Sequence, residues 1–300
     1  MKKIILTAIL MLLAFTLTKA RPAAAGAHFT SGGSGYMLAS MPPPGLYYLM
    51  YNVWFQSDDY YDNDGRKMRG ADFKTRVFSQ THRFVYSTPV QILGGNLMFD
   101  LLIPVSYSHY GDGLVGGLDN RKFGLNDISS HTTIAWHGNR YDALASMCIF
   151  FPIGEYHKNE PTSPGKGYWG LQPTAGLTLY FDEAKTWTWS TVLRYEISYR
   201  QRGTDVTEGN FFHMESALGK QLGNMSLAVS TAGSWQTTDA KGKGPVVNPW
   251  RSERFALGPD VGVNLPGTWG NLNLRCLFDV TARYNPKGVM TVLTWTKVIF

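Results

Sequence analysis

Residues 186–200 read TWTWSTVLRYEISYR, and their side chains alternate between two characters along the chain. Alternate positions from Trp187 to Tyr199 are mostly apolar, whereas those from Thr186 to Arg200 are mostly polar or charged. Successive side chains of a β-strand point to opposite faces, so this stretch predicts a strand with one apolar and one polar face. It is also longer than the roughly five or six residues of an ordinary globular strand. A strand that crosses a bilayer at a tilt needs about 9–11 residues plus overhang, and this length is available here.

The same alternation recurs along most of the chain, for example over 96–108 and 271–284. Candidate strands lie near 45–56, 73–87, 95–109, 125–137, 142–154, 168–182, 186–200, 209–219, 223–237, 252–265, 269–284 and 287–300. Their number is about twelve, which is even, and the connections between them alternate between long polar loops and short turns. Both features are typical of a bacterial outer-membrane barrel. The predicted fold is therefore all-β, a transmembrane antiparallel up-and-down β-barrel formed by residues 45–300.

Aromatic residues at the strand ends, such as Trp136, Trp169 and Tyr284, suit the two girdles at the membrane interfaces. The alternative is a soluble two-sheet sandwich whose core holds these aromatic residues. The chain ends in Phe300, and a terminal aromatic residue on the last strand resembles the signal that the barrel-assembly machinery recognises. The ending therefore favours the barrel over the sandwich.

The first residues have the pattern of a secretory signal peptide, which is cleaved from the mature chain. Lys2 and Lys3 precede an apolar stretch at 4–17, which is too short for a stable membrane span, and small residues follow. Cleavage after Ala27 fits best, with Ala20 and Ala25 as alternatives, and an N-terminal membrane anchor is the competing interpretation. Residues 1–27 are thus predicted to direct export, and the barrel pattern predicts the cell outer membrane as the destination.

The net charge of +6 overstates how basic the mature protein is. Four of the 28 Lys and Arg residues lie in the signal peptide, which leaves 24 against 22 Asp and Glu. A nearly balanced charge gives no support to binding of a polyanion. No nucleic-acid partner is predicted.

Residues 28–44 lack alternation, are rich in Gly and Ser, and end in Pro42, Pro43 and Pro44. Consecutive prolines favour an extended, stiff chain. The segment should begin in the periplasm, and we hypothesise that it folds into the barrel mouth as a plug.

The polar faces of the strands predict a lumen lined by charges of both signs. The candidate lining residues are Tyr48, Trp54, Asp100, Asp127, His131, Arg194, Glu196, Arg200, His213, Glu215, Arg254, Asp260, Arg275, Asp279 and Arg283. A mixed lining can pair across the interior and narrow a pore, whereas a ring of one sign would select ions. The alternative is that these groups form a satisfied salt-bridge network with no role in transport.

No motif for catalysis, metal binding or phosphate binding occurs in the sequence. An outer-membrane phospholipase would need a wall His followed two residues later by Ser, and no His has that neighbour. The acidic stretch from Asp58 to Asp64 lacks the spacing of a calcium loop, because Tyr60 stands where the first ligand would be. No catalytic residue, metal or cofactor is predicted, and the protein is not expected to be an enzyme.

Several short motifs occur in an order that resembles a known family. They are PPPGLYYLMYN at 42–52, GLNDI at 124–128 with AWH at 135–137, FPIGEY at 151–156 and GYW at 167–169. The sequence resembles the outer-membrane transporter family of the MetA-pathway of phenol degradation. The resemblance implies a barrel that admits small hydrophobic or aromatic compounds.

The predicted function is an outer-membrane channel for passive uptake of small hydrophobic or aromatic compounds. The alternative is a structural or binding barrel without transport. The expected partners are outer-membrane lipid and lipopolysaccharide, the barrel-assembly machinery, and a small apolar or aromatic solute.

Overall fold

A computed structural model describes residues 26–68, 73–111, 120–158, 160, 162–243 and 250–300. The predicted signal peptide, residues 1–27, lies outside the described residues except for Gly26 and Ala27. Within the described ranges no helix has the length and apolar character that a membrane-spanning helix requires.

Twelve long strands of the described residues form one closed antiparallel barrel. In chain order they are β1 (Gly45–Ser57), β2 (Lys74–Ile92), β3 (Gly95–Gly111), β4 (Asn120–Leu125 continued by Ile128–His137), β5 (Tyr141–Phe151), β6 (Gly170–Tyr180), β7 (Trp187–Ser198), β8 (Phe211–Leu222), β9 (Met225–Gln236), β10 (Glu253–Asn264), β11 (Asn271–Arg283) and β12 (Val289–Val298). Each strand pairs with its sequence neighbours, and β1 also pairs with β12, with Tyr47 opposite Val298 and Gln56 opposite Val289. This last pairing closes the ring and confirms the predicted fold.

The connections differ between the two ends of the barrel. At the end that holds Gly45 and Phe300 the turns are tight, as at Leu93 and Gly94 between β2 and β3, where both residues have positive φ (52° and 76°). Two-residue turns with positive φ match the right-handed twist of the paired strands. At the other end the loops are long, and two of them carry short additional strands that pair with one another, Asp205–Thr207 and Lys241–Lys243. Long loops mark the extracellular end of such a barrel.

The two faces of the barrel wall have opposite chemistry, as β7 and β11 illustrate. Leu193 and Leu274 on the outer face are exposed, whereas Glu196 and Arg275 on the inner face are almost completely buried. Exposed aromatic residues are frequent on the outer face and include Phe84, Tyr86, Phe99, Tyr107, Tyr141, Trp187, Trp189 and Phe278. An apolar exterior around a polar interior is what a bilayer requires of a barrel.

Two irregularities change which way side chains point. Strand β4 is interrupted at Asn126 and Asp127, opposite Pro104 of β3, whose ring nitrogen cannot donate to a ladder. In β11 the pairing with β10 shifts so that Phe255 lies opposite Thr281 and the next residue lies opposite Asp279. This shift is a β-bulge, and it reverses the alternation for the residues that follow.

Residues 26–44 run along the inside of the wall. Near the short-turn end Met41 packs with Tyr47 and Met98 of the wall. Further along, Leu38 and Ala39 pack against Leu144 and Val192, which fill the inner face of β5 and β7. Next, Gly32 lies against β11 with a φ of 115°, which other residues rarely adopt, and a Cβ there would lie 2.7 Å from Leu277 Cδ1. The segment reaches the long-loop end at His28, which contacts Tyr168.

Candidate functional site

The buried charges of the inner wall form three groups, and the first lies on β2, β3 and β4. Asp100 accepts a hydrogen bond from Arg83 Nε at 3.0 Å and lies 2.5 Å from His131 Nδ1. The carboxylate is buried and is shared by the two basic side chains. A buried charge is tolerated where it is paired and hydrogen-bonded in this way.

The second group lies on β10 and β11. Arg275 Nε donates to Asp260 Oδ2 at 2.8 Å, and both side chains are almost fully buried. Arg254 Nε donates to Asp279 Oδ1 at 2.6 Å, next to the bulge of β11. Each cation therefore has a carboxylate on the neighbouring strand.

The third group lies on β7 and β8 and consists of Arg194, Glu196, His213 and Glu215. Arg194 Nη1 donates to Glu215 Oε2 at 2.6 Å, and His213 Nε2 lies 3.4 Å from Glu196 Oε2. The side chains of Glu196 and His213 have no exposed surface. This group holds the N-terminal segment.

Residues 28–34 bind to this third group through backbone and side-chain donors. The backbone nitrogens of His28 and Phe29 donate to Glu196 at 2.7 and 3.1 Å. The Phe29 ring lies under the Arg194 guanidinium, 4.4 Å from its Cζ. Gly32 N donates to Glu215 Oε1 at 2.6 Å, so two wall carboxylates are covered by the segment.

The segment also reaches the second charged group and the wall nearer the short-turn end. Ser31 Oγ donates to Gly233 O at 2.9 Å, and Gly32 O accepts from Arg275 Nη1. Ala39 N donates to Ser190 Oγ at 3.2 Å. The segment is thus held by β7, β8, β9 and β11, over most of the length of the lumen.

The loop over 152–169 folds onto the gap in β4. Asp127 Oδ1 accepts from Gly154 N at 3.0 Å, and Asp127 Oδ2 accepts from Lys166 N at 2.7 Å. Burial lowers the pKa of Lys166, and it raises the pKa of Tyr168 well above its ordinary value. Burial likewise raises the pKa of Glu208, in the next long loop, to about 7, although the nearby Lys166 opposes this. The long-loop end therefore holds several buried titratable groups.

Eleven of the predicted lining residues lie with their side chains in the buried interior of the barrel or at its edge: Asp100, Asp127, His131, Arg194, Glu196, His213, Glu215, Arg254, Asp260, Arg275 and Asp279. They are brought together in the groups described above, apart from Asp127, which lies beside His28. A role of these residues in transport stays a prediction.

Tyr48 and Trp54 were predicted to line the lumen, and this is wrong. Trp54 is 44% exposed on the outer face, and Tyr48 packs against the exposed Phe84 and against Trp295. The inner face of β1 is itself apolar, because residues such as Phe55 pack there against the core. With apolar residues on both faces, the sequence of β1 has no alternation of polarity that shows which face points into the lumen.

Arg200 and Arg283 are also not lining residues. Strand β7 ends at Ser198, and Arg200 lies in the following loop, exposed and 3.1 Å from Asp205 Oδ1. Arg283 follows the bulge of β11, which turns it out of the inner face, and its side chain is 55% exposed. A bulge leaves no clear signal in the alternation of a short strand end.

Sequence reasoning missed Arg83 and His28 as members of the site. Arg83 interrupts the polarity pattern of β2. It lies two residues before the buried Val85 and therefore on the same, inner face of the strand, and this spacing was the available signal. His28 carried no signal of its own, because nothing in residues 28–44 shows which wall residue each of them meets.

Phe300 lies beyond the end of β12 with its side chain exposed, and its carbonyl oxygen accepts from Leu46 N at 2.9 Å. Its role as an assembly signal stays a prediction. Among the residues that the structure describes, no group of three or more His, Cys, Asp or Glu side chains has the arrangement of a metal site.

Comparison with known proteins identifies the family of this chain. The model described as "Putative MetA-pathway of phenol degradation" matches residues 57–295, most of the chain. The chain belongs to this family. No curated protein shows significant sequence similarity to it.

Solved structures with a similar fold include the following two. The COG4313 outer membrane channel from Pseudomonas putida F1 is 15% identical, with a TM-score of 0.76 over 91% of this chain and 100% of that chain. The transport unit of the autotransporter AIDA-I from Escherichia coli is 10% identical, with a TM-score of 0.51 over 92% of this chain and 95% of that chain. The shared fold and the apolar exterior identify this family member as a closed, membrane-spanning β-barrel of the outer-membrane type.

Proposed function

We propose that the protein is a passive channel for small hydrophobic or aromatic compounds, of the kind that phenol-degradation pathways consume, and that residues 28–44 are its gate. The observation that carries the proposal is the way in which the lumen is filled. The filling is a chain segment joined to the wall only at Gly45 and otherwise held by hydrogen bonds, ion pairs and ring contacts. Such contacts can be replaced by contacts with water or solute, whereas a core formed by side chains of the wall itself could not be displaced in this way.

The inner wall offers a solute both apolar and polar contacts once the segment moves. Phe150 and Phe211 are buried on the inner face, and each stacks on a histidine ring, His28 and His213 respectively. The charges beside them are paired with one another, so an uncharged solute meets hydrogen-bonding groups without an uncompensated field. In this proposal the eleven inner-wall residues line the path, and none performs chemistry on the solute.

The family supports the choice of solute. Its description refers to phenol degradation, and the P. putida protein of the same fold is described as an outer membrane channel. The remaining expected partners fit this location. The exposed aromatic residues would face lipid and lipopolysaccharide, and Phe300 would be recognised by the barrel-assembly machinery.

Uptake by whole cells of a porin-deficient Gram-negative strain tests the proposal, because the lipopolysaccharide leaflet slows the entry of apolar solutes. Cells that make the protein should take up phenol faster than vector cells, with little change for a sugar of similar size. A variant that lacks residues 28–41 should take up phenol faster still and should begin to admit the sugar. If phenol entry equalled that of vector cells for both proteins, the channel would be excluded.

The competing function is a closed structural or binding barrel, and the mutual pairing of the buried charges favours it. The two proposals differ in what the deletion does. In a structural barrel, loss of residues 28–41 would lower stability and leave phenol uptake at the vector level.

A further inference from the structure

The imidazole ring of His28 lies in a recess of the inner wall and is enclosed on several sides. Its imidazole is stacked on Phe150, with ring centroids 4.6 Å apart and planes inclined by 11°. The edge of Tyr168 closes another side at 4.3 Å. A Cβ on Gly170 would lie 3.1 Å from His28 Nδ1, so the absence of a side chain at Gly170 makes room for the ring. The recess fits one flat aromatic ring.

Both nitrogens of the ring meet buried acceptors. Nδ1 lies 3.0 Å from Glu196 Oε1, and Nε2 lies 3.2 Å from Tyr168 O and 3.3 Å from Asp127 Oδ2. The two carboxylates belong to the wall, on β7 and at the gap in β4, and both are buried. The imidazole therefore presents an aromatic face to Phe150 and one ring nitrogen to each of the two carboxylates.

We infer that this recess is a binding site for a planar aromatic ring that carries hydroxyl groups, and that His28 fills it while the segment is in place. A ring hydroxyl donates to Glu196 or Asp127 where the imidazole nitrogens now do, and the ring stacks on Phe150. A ring without hydroxyls replaces neither contact of the imidazole nitrogens and leaves both buried carboxylates with only their remaining donors, which is less favourable. The inference rests on the proposed function for its biological meaning, since it names the class of solute that the wall recognises.

The test measures how small probes bind to a His28→Gly variant of the mature protein in detergent. Binding is detected as a rise of the thermal unfolding midpoint and is quantified by titration calorimetry. Imidazole is the positive control, because it restores the lost ring. Resorcinol carries two hydroxyl donors, one for each carboxylate, and should bind at least tenfold more tightly than benzene, with phenol between them. Phe29→Gly is the matched control, because it empties a neighbouring place on the same segment, and there resorcinol should gain no comparable preference.

Equal binding of benzene and resorcinol by His28→Gly would overturn the inference, as would binding of imidazole alone. If His28→Gly does not fold, wild-type protein in a planar bilayer gives a second readout. Resorcinol should then increase the frequency of openings in a saturable way by competing with His28, and benzene should not; no effect of resorcinol would overturn the inference. Binding without phenol uptake by cells would contradict the proposed function alone, and uptake without binding would contradict this site alone.

Discussion

Residues of the barrel wall differ in polarity according to whether their side chains face lipid or the lumen. On β11, Leu274 faces outward and is 51% exposed, whereas the neighbouring Arg275 is buried against Asp260. An arginine in hydrocarbon has no partner, and an arginine in the lumen has one. The same kind of side chain is therefore harmful on one face and stabilising on the other.

Leu274→Arg should hinder membrane insertion, because a cation on the lipid-facing side costs up to about 2–4 kcal/mol, the value at the bilayer midplane. The matched control is Leu93→Arg, which places the same charge at an exposed turn outside the hydrocarbon. Unfolding by urea in lipid vesicles compares the two variants. Equal stability of both would mean that the outer face of β11 does not meet lipid.

The docking of the segment should depend on pH through His28. Burial by itself lowers the pKa of this imidazole, but its hydrogen bonds to Asp127 and Glu196 and their charges outweigh burial, and the pKa is raised. A raised pKa means that the protonated ring stabilises the docked state fully below about pH 6.5 and that this contribution is lost as the pH rises through the raised value. Openings in a planar bilayer should become more frequent between pH 6 and pH 9.

His28→Gln is the control for this pH dependence. It keeps the backbone nitrogen that donates to Glu196, which is the free amino group if cleavage follows Ala27, and it removes only the imidazole. The other groups that face the ring or its partners, Tyr168, His213 and Lys166, are unchanged. An identical pH profile for wild type and His28→Gln would show that the imidazole is not the responsible group.

At the residue scale, alternation of polarity was enough to place Glu196, Glu215 and Asp260 in the interior. It failed for Trp54 because β1 is apolar on both faces, and for Arg283 because the bulge of β11 reverses the alternation. The partners of His28 could not be predicted, because the segment has no periodicity and its contacts are set by tertiary structure alone.

At the scale of elements, strand length and turn signals predicted all twelve strands, since each strand must be long enough to cross a bilayer. The break in β4 was not predicted, because it depends on Pro104 of the neighbouring strand and on a contact between distant parts of the chain. Asp127 turns out of the ladder to accept hydrogen bonds from Gly154 and Lys166 in the loop over 152–169. The gap in the strand is the anchor of the loop.

Asp127→Ala should release this loop, because the backbone nitrogens of Gly154 and Lys166 would lose their acceptor. Trypsin added to intact cells should then cleave after Lys158 or Lys166 several times faster than in wild type, as measured by the appearance of fragments on gels. Asp127→Asn keeps one acceptor oxygen and should show a smaller effect. Cleavage that is unchanged in Asp127→Ala would contradict the role of Asp127 as an anchor.

At the scale of the whole molecule, the closed wall of twelve strands and the N-terminal segment in its lumen are structurally separate. Closure of β1 on β12 leaves no unpaired barrel edge, so the wall is stable in lipid without the segment having to complete it. Residues 28–44 instead cover wall carboxylates and pack against Leu144 and Val192. In the proposed gate, the segment is displaced and the lumen opens while the wall stays intact.

A reversible cross-link between segment and wall tests this most directly. A Cβ on Gly176 of β6 would lie 2.9 Å from Ala39 Cβ, so a shift of about 1 Å that moves the segment away from the wall gives Ala39→Cys and Gly176→Cys the ~3.8 Å Cβ separation of a disulfide. Single-channel conductance of the double variant is recorded in a planar bilayer before and after reduction, with each single variant as control. We predict that openings are at least tenfold rarer in the oxidised protein and return to the level of the single variants on reduction. Equal conductance in the oxidised and reduced states would contradict a lumen that opens by release of its N-terminal segment.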